Sequence, residues 1–456
     1  MAATDFSTLS LAPELVRAIE VLGFSQMTPV QQHALPSLLA ARDVIAQART
    51  GSGKTVAFGL ALLARVDVDV AGVQALVLCP TRELADQVSN EVRRLARFIN
   101  NLRVVTLCGG VPVRTQTPSL QTSPHVVVGT PGRILDHLER ETIDLSGLRV
   151  LVLDEADRML DMGFLDAIAS VVEQAPKARQ TLLFSATFPN EIRALSKKLQ
   201  QDPHEVTVDN DGGVDVEELF FEVEPAKKID ALSALLKDRK PESALIFCHT
   251  RNDVRDVSGW LGKRGFSVLA LHGDLEQRER DEVLLQFANK SCSVLVATDV
   301  AARGLDIKGL SAVISWELPT DPDVHLHRIG RTGRAGQSGL ALALCSRSER
   351  DRVAKLDRPV RWGQLPADDD EPPAPPAMNT LIIEGGKQDK LRAGDLLGAL
   401  TGDVGLPGDV VGKIDITPRH TYVAIRADQV DAALKGLRAG KIKGKSFRIW
   451  RLGTSS

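Results

Sequence analysis

Leu151-Val152-Leu153-Asp154-Glu155-Ala156-Asp157 places an apolar, strand-like run directly before two adjacent carboxylates, with a third two residues on. A strand ending in Asp-Glu delivers both carboxylates to the carboxyl edge of a parallel sheet, where such folds bind ligands. There Asp154 can hold a metal-bound phosphate while Glu155 orients or deprotonates a water. Four residues reading D-E-A-D are weak evidence alone. Upstream, however, Ala48-Arg49-Thr50-Gly51-Ser52-Gly53-Lys54-Thr55 has the spacing G-x-x-x-x-G-K-[ST], with Ala48 in place of the first glycine. Such a loop points backbone N–H groups at phosphate oxygens, adds a lysine for charge and a hydroxyl for Mg²⁺. Gly51 and Gly53 give the permissive backbone, Lys54 the cation and Thr55 the hydroxyl, and alanine is small enough at the first position. A glycine-rich turn without a ligand is the bland alternative. A strand before the loop, a helix after it and paired carboxylates downstream outweigh it. The expectation is a chain that binds and hydrolyses a nucleoside triphosphate.

Around these motifs the pattern is regular. Short apolar runs at 43–46, 75–79, 103–107, 125–129, 150–154 and 180–185 alternate with helical periodicity, as over 84–98. Strands alternating with helices imply βαβ units and a parallel sheet. After the polar stretch 209–213 the rhythm restarts, with strands expected at 244–248, 267–271, 293–297, 312–315 and 339–345. Two similar α/β units joined by a hinge follow. A second break is the acidic, proline-rich run 366–376, which cannot form a core and suits a stiff, extended linker. Beyond it, segments 380–384, 392–400, 410–416, 421–426, 428–439 and 446–452 read β-α-β-β-α-β, the ferredoxin-like order of small RNA-binding domains. The expected division is residues 1–208, a hinge at 209–216, 217–362, a linker at 363–377 and a tail at 378–456.

Composition bounds the function. The 456 residues are 43% hydrophobic and 25% charged, those of a globular protein with ample core. The net charge of −3 excludes a global polyelectrolyte attraction to nucleic acid, but it hides a split. Residues 378–456 carry thirteen Lys and Arg against eight Asp and Glu, a surplus of five that leaves the remainder at −8. From Lys435 to Arg451 seven cations occur with no acid among them. Five cysteines, odd in number and without CxxC spacing, read as buried free thiols of a reducing cytosol. No apolar run approaches the ~20 residues of a membrane span, and the expected location is cytoplasmic.

Further motifs stand in order along residues 1 to about 360. They are Gly23-Phe24, Thr28-Pro29-Val30-Gln31, the phosphate loop, Pro80-Thr81-Arg82-Glu83-Leu84-Ala85, Gly109-Gly110, Thr130-Pro131-Gly132-Arg133, D-E-A-D and Ser185-Ala186-Thr187. His249-Thr250-Arg251, Gln277-x-x-Arg280, Ala297-Thr298-Asp299, Arg303-Gly304-Leu305-Asp306 and His327-Arg328-Ile329-Gly330-Arg331-Thr332-Gly333-Arg334 follow. The set resembles the DEAD-box ATP-dependent RNA helicases. That resemblance implies an α/β fold of two tandem RecA-like parallel-sheet domains closing over ATP, Mg²⁺ and RNA, beside the small α+β, RRM-like tail. It implies that Phe24 stacks on adenine, Gln31 reads its edge, and residues 48–55 hold the phosphates, with Lys54 and Thr55 at the β- and γ-phosphates and Mg²⁺. Asp154 would bind the metal through water, Glu155 would position the attacking water, and Asp306 would touch the ribose. Arg331 and Arg334 would be arginine fingers. RNA contacts would fall to Thr81, Arg82, Gly110, Thr130 and Arg133, then Thr250, Arg251, Gln277, Arg280 and Thr298, mostly on phosphate and ribose. Surface salt bridges are the bland alternative for Arg82 and Arg133. Ser185 and Thr187 would couple ATP to unwinding, or simply cap a helix.

The tail decides which RNA. Its two central strands carry one aromatic, Tyr422, so base stacking on the sheet face is not expected. Lys387, Lys390 and Arg392 in one loop and Lys441, Lys443 and Lys445 in another offer phosphate and base-edge contacts instead, for shape-led recognition of a hairpin. Residues 383–400 are similar to the tail of the bacterial DbpA subfamily. This implies targeting to a 23S rRNA hairpin on large-subunit precursor particles, with no membrane and no obligate protein partner. The stiff linker would then set the core's reach from its anchor. A general mRNA or cold-adaptation helicase and an ATP-gated RNA clamp with little unwinding are the alternatives.

Overall fold

A computed structural model describes residues 5–48, 51–208, 216–302, 309–333, 339–356, 359–367 and 371–453. The chain forms two compact units, with the described residues up to Val208 in the first and those from Val216 in the second.

The first unit holds β1 (Val44–Gln47), β2 (Ala75–Leu78), β3 (Val104–Leu107), β4 (Val126–Gly129), β5 (Val150–Leu153), β6 (Gln180–Ser185) and β7 (His204–Thr207). They pair in parallel in the order β3-β4-β2-β5-β6-β1-β7. Alternate residues of the central strands enter two cores, one on each face. Val77, Val128, Val152 and Phe184 enter one, and Leu76, Val127, Leu151 and Leu183 the other. A sheet covered on both sides explains why these strands read as continuous apolar runs rather than alternating ones. Strand β7 escapes a sequence reading because only Val206 of its four residues is buried. The register aligns Gln47 with Ser185 and Leu153 with Leu183. The residues that follow β1, β5 and β6 therefore emerge on one rim.

The second unit repeats the plan with β8 (Val216–Glu222), β9 (Ala244–Cys248), β10 (Val268–Leu271), β11 (Val294–Thr298), β12 (Ala312–Ser315) and β13 (Gly339–Cys345). Its order is β10-β11-β9-β12-β13-β8, again parallel. Of the expected hinge, 209–215 lie outside the described residues, and Val216 already begins β8. The free side of β8 is partly covered. The Phe220 N–H donates to the Arg361 carbonyl and the Gly363 N–H to the Phe220 carbonyl, both at 2.9 Å.

The tail closes a third sheet from β14 (Met378–Ile383), β15 (Val411–Ile416), β16 (Thr421–Arg426) and β17 (Ile449–Arg451), ordered β15-β16-β14-β17 and antiparallel. Helices Ala393–Gly398 and Val430–Ala439 complete the expected β-α-β-β-α-β, the first running on into a π-helical turn, Ala399–Asp403. Leu381, Ile383, Val423, Ile425 and Ile449 face the tail's core. Strand alternation sends Thr380, Ile382, Tyr422 and Trp450 to the opposite face. Part of that face is not open to solvent. Thr380 is fully buried, its hydroxyl 2.8 Å from that of Ser291 and 3.5 Å from the Asn289 amide, and the Met378 N–H donates to the Lys290 carbonyl.

Of the expected linker, residues 371–377 form no helix or strand and line a groove with Leu236, Lys240, Phe266 and Val294 of the second sheet's flank. Lys240 pairs with Glu371 at 3.2 Å. Replacing Thr380 by Arg would bury an unpaired cation against Asn289 and Ser291. We expect it to release the tail, seen as faster proteolysis within 363–377 with both core units still folded.

Candidate nucleotide and RNA sites

The phosphate loop leaves β1 at Ala48, whose N–H donates to the Ser185 carbonyl. Arg49 and Thr50 lie outside the described residues. Gly51 and Gly53 have φ of 86° and 93°, the left-handed region that glycine enters without a Cβ penalty. At Gly53 space excludes a side chain as well, since an added Cβ would sit 2.6 Å from the Gln31 amide nitrogen. Gln31 is itself buried. Its Nε2 donates to the Gly53 carbonyl at 3.1 Å, and its Oε1 accepts from the Thr28 N–H at 2.8 Å. The glutamine expected to read a base thus also braces the phosphate loop. Phe24 is half-buried against the same core. Helix Lys54–Arg65 starts at the loop, presenting its N-terminal N–H groups to the rim with Thr55 half-buried in the first turn.

Across the rim, Asp154 and Glu155 follow β5. Glu155 takes a left-handed conformation, φ 52° and ψ 52°, to begin helix Ala156–Asp161. A non-glycine residue there costs on the order of 1–2 kcal/mol. The turn separates the two carboxylates as the chain passes from strand to helix. Arg158, which the sequence reading did not single out, pairs with Glu155 at 3.3 Å with both side chains buried. The Asp154 carboxyl is pushed up to about 6, chiefly by burial, with Lys54 pulling it down and Glu155 pushing it up. Lys54 Nζ and Asp154 Oδ1 are buried without hydrogen-bond partners among the described residues. A buried ammonium and a buried carboxylate oxygen, both unsatisfied beside a glycine cradle, fit a triphosphate and a divalent cation.

Asp157 ties this rim to the next loop. Its Oδ2 accepts from the N–H groups of Ala186 and Thr187, both at 3.1 Å, and from the Thr187 hydroxyl at 3.2 Å. Its own N–H donates to the Ser185 hydroxyl. Ser185 and Thr187 are therefore bound to the D-E-A-D segment. Neither caps the following helix, Asn190–Leu199, whose N-cap is Pro189.

The expected RNA positions of the first unit lie at the carboxyl ends of its other strands. The Thr81 hydroxyl caps helix Arg82–Leu95 and Arg82 faces Asp86 at 3.8 Å. Gly110 sits in a turn with φ 81°, and Thr130 precedes helix Pro131–Glu139. Arg133 donates to Gln116 Oε1 at 2.7 Å and to the Val111 carbonyl at 2.8 Å, while Gln116 donates to the Cys108 carbonyl. Arg133 and Gln116, the latter missed in the sequence, brace the Gly109-Gly110 loop. All five cysteines are free and buried, and burial pushes the Cys79 thiol well up, leaving it inert.

In the second unit, Thr250 caps helix Arg251–Lys263, while Arg251 and Arg255 share the Asp274 carboxylate. Gln277 Nε2 donates to Asp281, Arg280 donates to the Ala301 carbonyl, and the Thr298 hydroxyl accepts from the Ala301 N–H. Arg331 is buried; Asp306 and Arg334 lie outside the described residues. Arg328, without an expected role, is fully buried and grips both Asp299 oxygens at 2.7 and 2.8 Å. It joins the Ala297-Thr298-Asp299 motif to His327–Gly333. In the tail, Lys443 donates to the Lys390 carbonyl at 2.9 Å and pairs with Asp395 at 3.3 Å. That bond brings the loops of Lys387, Lys390 and Arg392 and of Lys441, Lys443 and Lys445 together, with all six side chains exposed.

Known proteins match this arrangement. Residues 28–195 fit the DEAD/DEAH box helicase family, 227–336 the helicase conserved C-terminal domain and 380–451 the DbpA RNA binding domain. The chain is 52% identical to the ATP-dependent RNA helicase DbpA of Escherichia coli over 98% of its length and 99% of the relative's. It is 42% identical to the DEAD-box ATP-dependent RNA helicase CshA of Bacillus cereus over 78% of this chain and 68% of that one. Among solved structures, S. cerevisiae Dbp5 bound to RNA and ADP BeF3 superposes with a TM-score of 0.73 at 34% identity, covering 79% of this chain and 96% of that one.

Burial disfavours the charged form of Asp154, so its raised pKa costs stability above the range of a free carboxyl. The cost is absent below about pH 4, grows as pH rises through about 6 and amounts to on the order of 2–3 kcal/mol at neutrality. Asp154→Asn is therefore expected to raise the urea midpoint of the nucleotide-free protein near pH 7.5. The difference from wild type should shrink toward zero near pH 4.

Proposed function

The chain belongs to the DEAD-box ATP-dependent RNA helicases that carry a DbpA RNA-binding domain, and from that membership we propose that it couples Mg²⁺-dependent ATP hydrolysis to opening short RNA duplexes beside a 23S rRNA hairpin during large-subunit assembly. The observation that carries the chemistry is the pair of unsatisfied buried groups, Lys54 Nζ and Asp154 Oδ1, at one sheet rim. The joined basic loops of the tail, together with its likeness to the DbpA domain, support the choice of RNA.

Bound Mg²⁺ and ATP supply the phosphoryl group and the charge that the rim lacks. Phe24 and Gln31 hold the adenine, and the backbone of residues 48–53 with Lys54 and Thr55 holds the phosphates. Asp154 would hold the cation. Glu155, kept in place by Arg158, orients the attacking water and receives its proton. Arg331 and Arg334 neutralise the charge that develops on the transferred group, a contribution of about 10³–10⁵ in rate in related NTPases. Both arginines lie beyond the first unit in the sequence, so a fragment ending before Val216 would lack them and is expected to turn ATP over slowly. Asp157 carries the state of the rim to Ser185 and Thr187. Contacts from Thr81, Gly110, Thr130, Thr250, Gln277 and Thr298 go to phosphate and ribose, so the core grips RNA with little sequence preference.

Lys54→Ala should abolish ATP binding, measured with a fluorescent nucleotide. Glu155→Gln should keep ATP bound but lower kcat by at least about 10²-fold, trapping the RNA complex; normal turnover would remove Glu155 from its role. ATPase activity should rise far more with a 23S rRNA hairpin fragment than with poly(A). Deleting residues 378–456 should leave weak activity with no preference between the two. Equal stimulation of the full chain by both RNAs would overturn the targeting, and ATP turnover without strand displacement would indicate a clamp.

A further inference from the structure

The tail's outward sheet face is used unevenly. Toward Thr380 it is packed on residues 289–291 of the second unit. Tyr422, also buried, lies within the electrostatic reach of Glu282, Arg278 and Asp281 on helix Gln277–Ala288. Toward the opposite end the same face carries a different group. The His420 ring lies 6.3 Å from that of Tyr422 and, edge-on, 6.3 Å from that of Trp450. The Arg448 guanidinium lies over the Trp450 indole at 5.5 Å. Trp450 and His420 are half-buried, and Arg448 and Glu384, which alternation puts on the same side, are exposed. Trp450 stands on the edge strand β17, outside the two central strands whose single aromatic, Tyr422, argues against stacking.

We propose that Trp450, Arg448 and His420 form a stacking site for one unpaired base of the RNA that runs between the hairpin held by the tail and helix Gln277–Ala288 of the core. An indole with a guanidinium above it and an imidazole at its edge is a surface on which a base adds or inserts as a further layer. The mixed charge favours a base over a phosphate. Glu384 would repel a phosphate, whereas its carboxylate accepts from the exocyclic amino group of a cytosine, adenine or guanine. Position supports the same reading. Through Tyr422 the cluster adjoins the helix that carries Gln277 and Arg280, so a strand leaving the hairpin crosses it on the way to the core.

This inference rests on the targeting proposed above, and its test separates the two. The full chain is titrated with three RNAs: the hairpin alone, the hairpin with a short single-stranded extension, and the extension alone. In the last two, 2-aminopurine replaces each extension base in turn. We expect the extension to tighten hairpin binding about tenfold and one 2-aminopurine position to be quenched. Trp450→Ala should lose the gain and the quenching while binding the hairpin alone as wild type does, which also shows that the tail is folded. Trp450→Phe should keep most of both. An extension that adds no affinity, or a gain and quenching that survive in Trp450→Ala, overturns the stacking site. A hairpin that fails to bind wild type counts against the targeting alone, because quenching by the isolated extension still decides for or against Trp450.

Discussion

Three buried carboxylates, Asp154, Glu155 and Asp157, share a rim with one ammonium and one guanidinium, Lys54 and Arg158, where water is nearly excluded, and the first unit is organised around that imbalance. Burial raises the cost of every charge there, and the few neighbours that could offset it are fixed by backbone. Lys54 starts a helix behind a loop that only glycine can close. Glu155 sits in a strained turn and Arg158 meets it from the next turn of the same helix. The protein thus holds a charge pattern that leaves Lys54 Nζ and Asp154 Oδ1 unsatisfied among the described residues, as the proposed binding of phosphate and cation requires. Such preorganisation lowers the reorganisation needed when ligands bind, at some expense in resting stability.

A second theme is what the arginines do. Arg133 and Arg280 stand where the family resemblance puts RNA contacts, yet each donates to a backbone carbonyl of its own domain. Arg328 and Arg158 are buried against aspartate and glutamate. A planar guanidinium with five donors can brace a loop on one side and still present N–H groups on the other. Bracing and ligand contact are compatible for Arg133 and Arg280. Arg328, fully buried, is a strut. Asp157 plays the reciprocal part: one oxygen accepts three donors, and the turn at Ser185–Thr187 has no independent position.

Much of this was legible in the sequence. The central strands are apolar runs because both faces are covered, and most of their limits were read to within a residue. The glycine, lysine and carboxylate motifs announce the rim because their chemistry tolerates few substitutes. The losses have physical causes. Strand β7 lies at a sheet edge and buries a single residue, so it has no apolar signature, and the buried Leu219-Phe220-Phe221 run of β8 is masked by the glutamates on either side of it. The linker's composition describes how such a run would behave in water and says nothing of the groove that residues 371–377 line. Arg328, Gln116 and Arg158 act through partners distant in sequence or hidden by burial. The pairing of the tail's two basic loops depends on the bond from Lys443 to a carbonyl fifty-three residues away, which no local pattern encodes.

The buried contact of Thr380 with Asn289 and Ser291 bears on how such a helicase can be re-engineered. Transplanting the tail onto another core would carry its cationic loops intact but leave a polar seam facing a foreign surface. A working chimera would need the segment from Gln277 to Ser291 moved with it, so the exchangeable module crosses the boundary between core and tail.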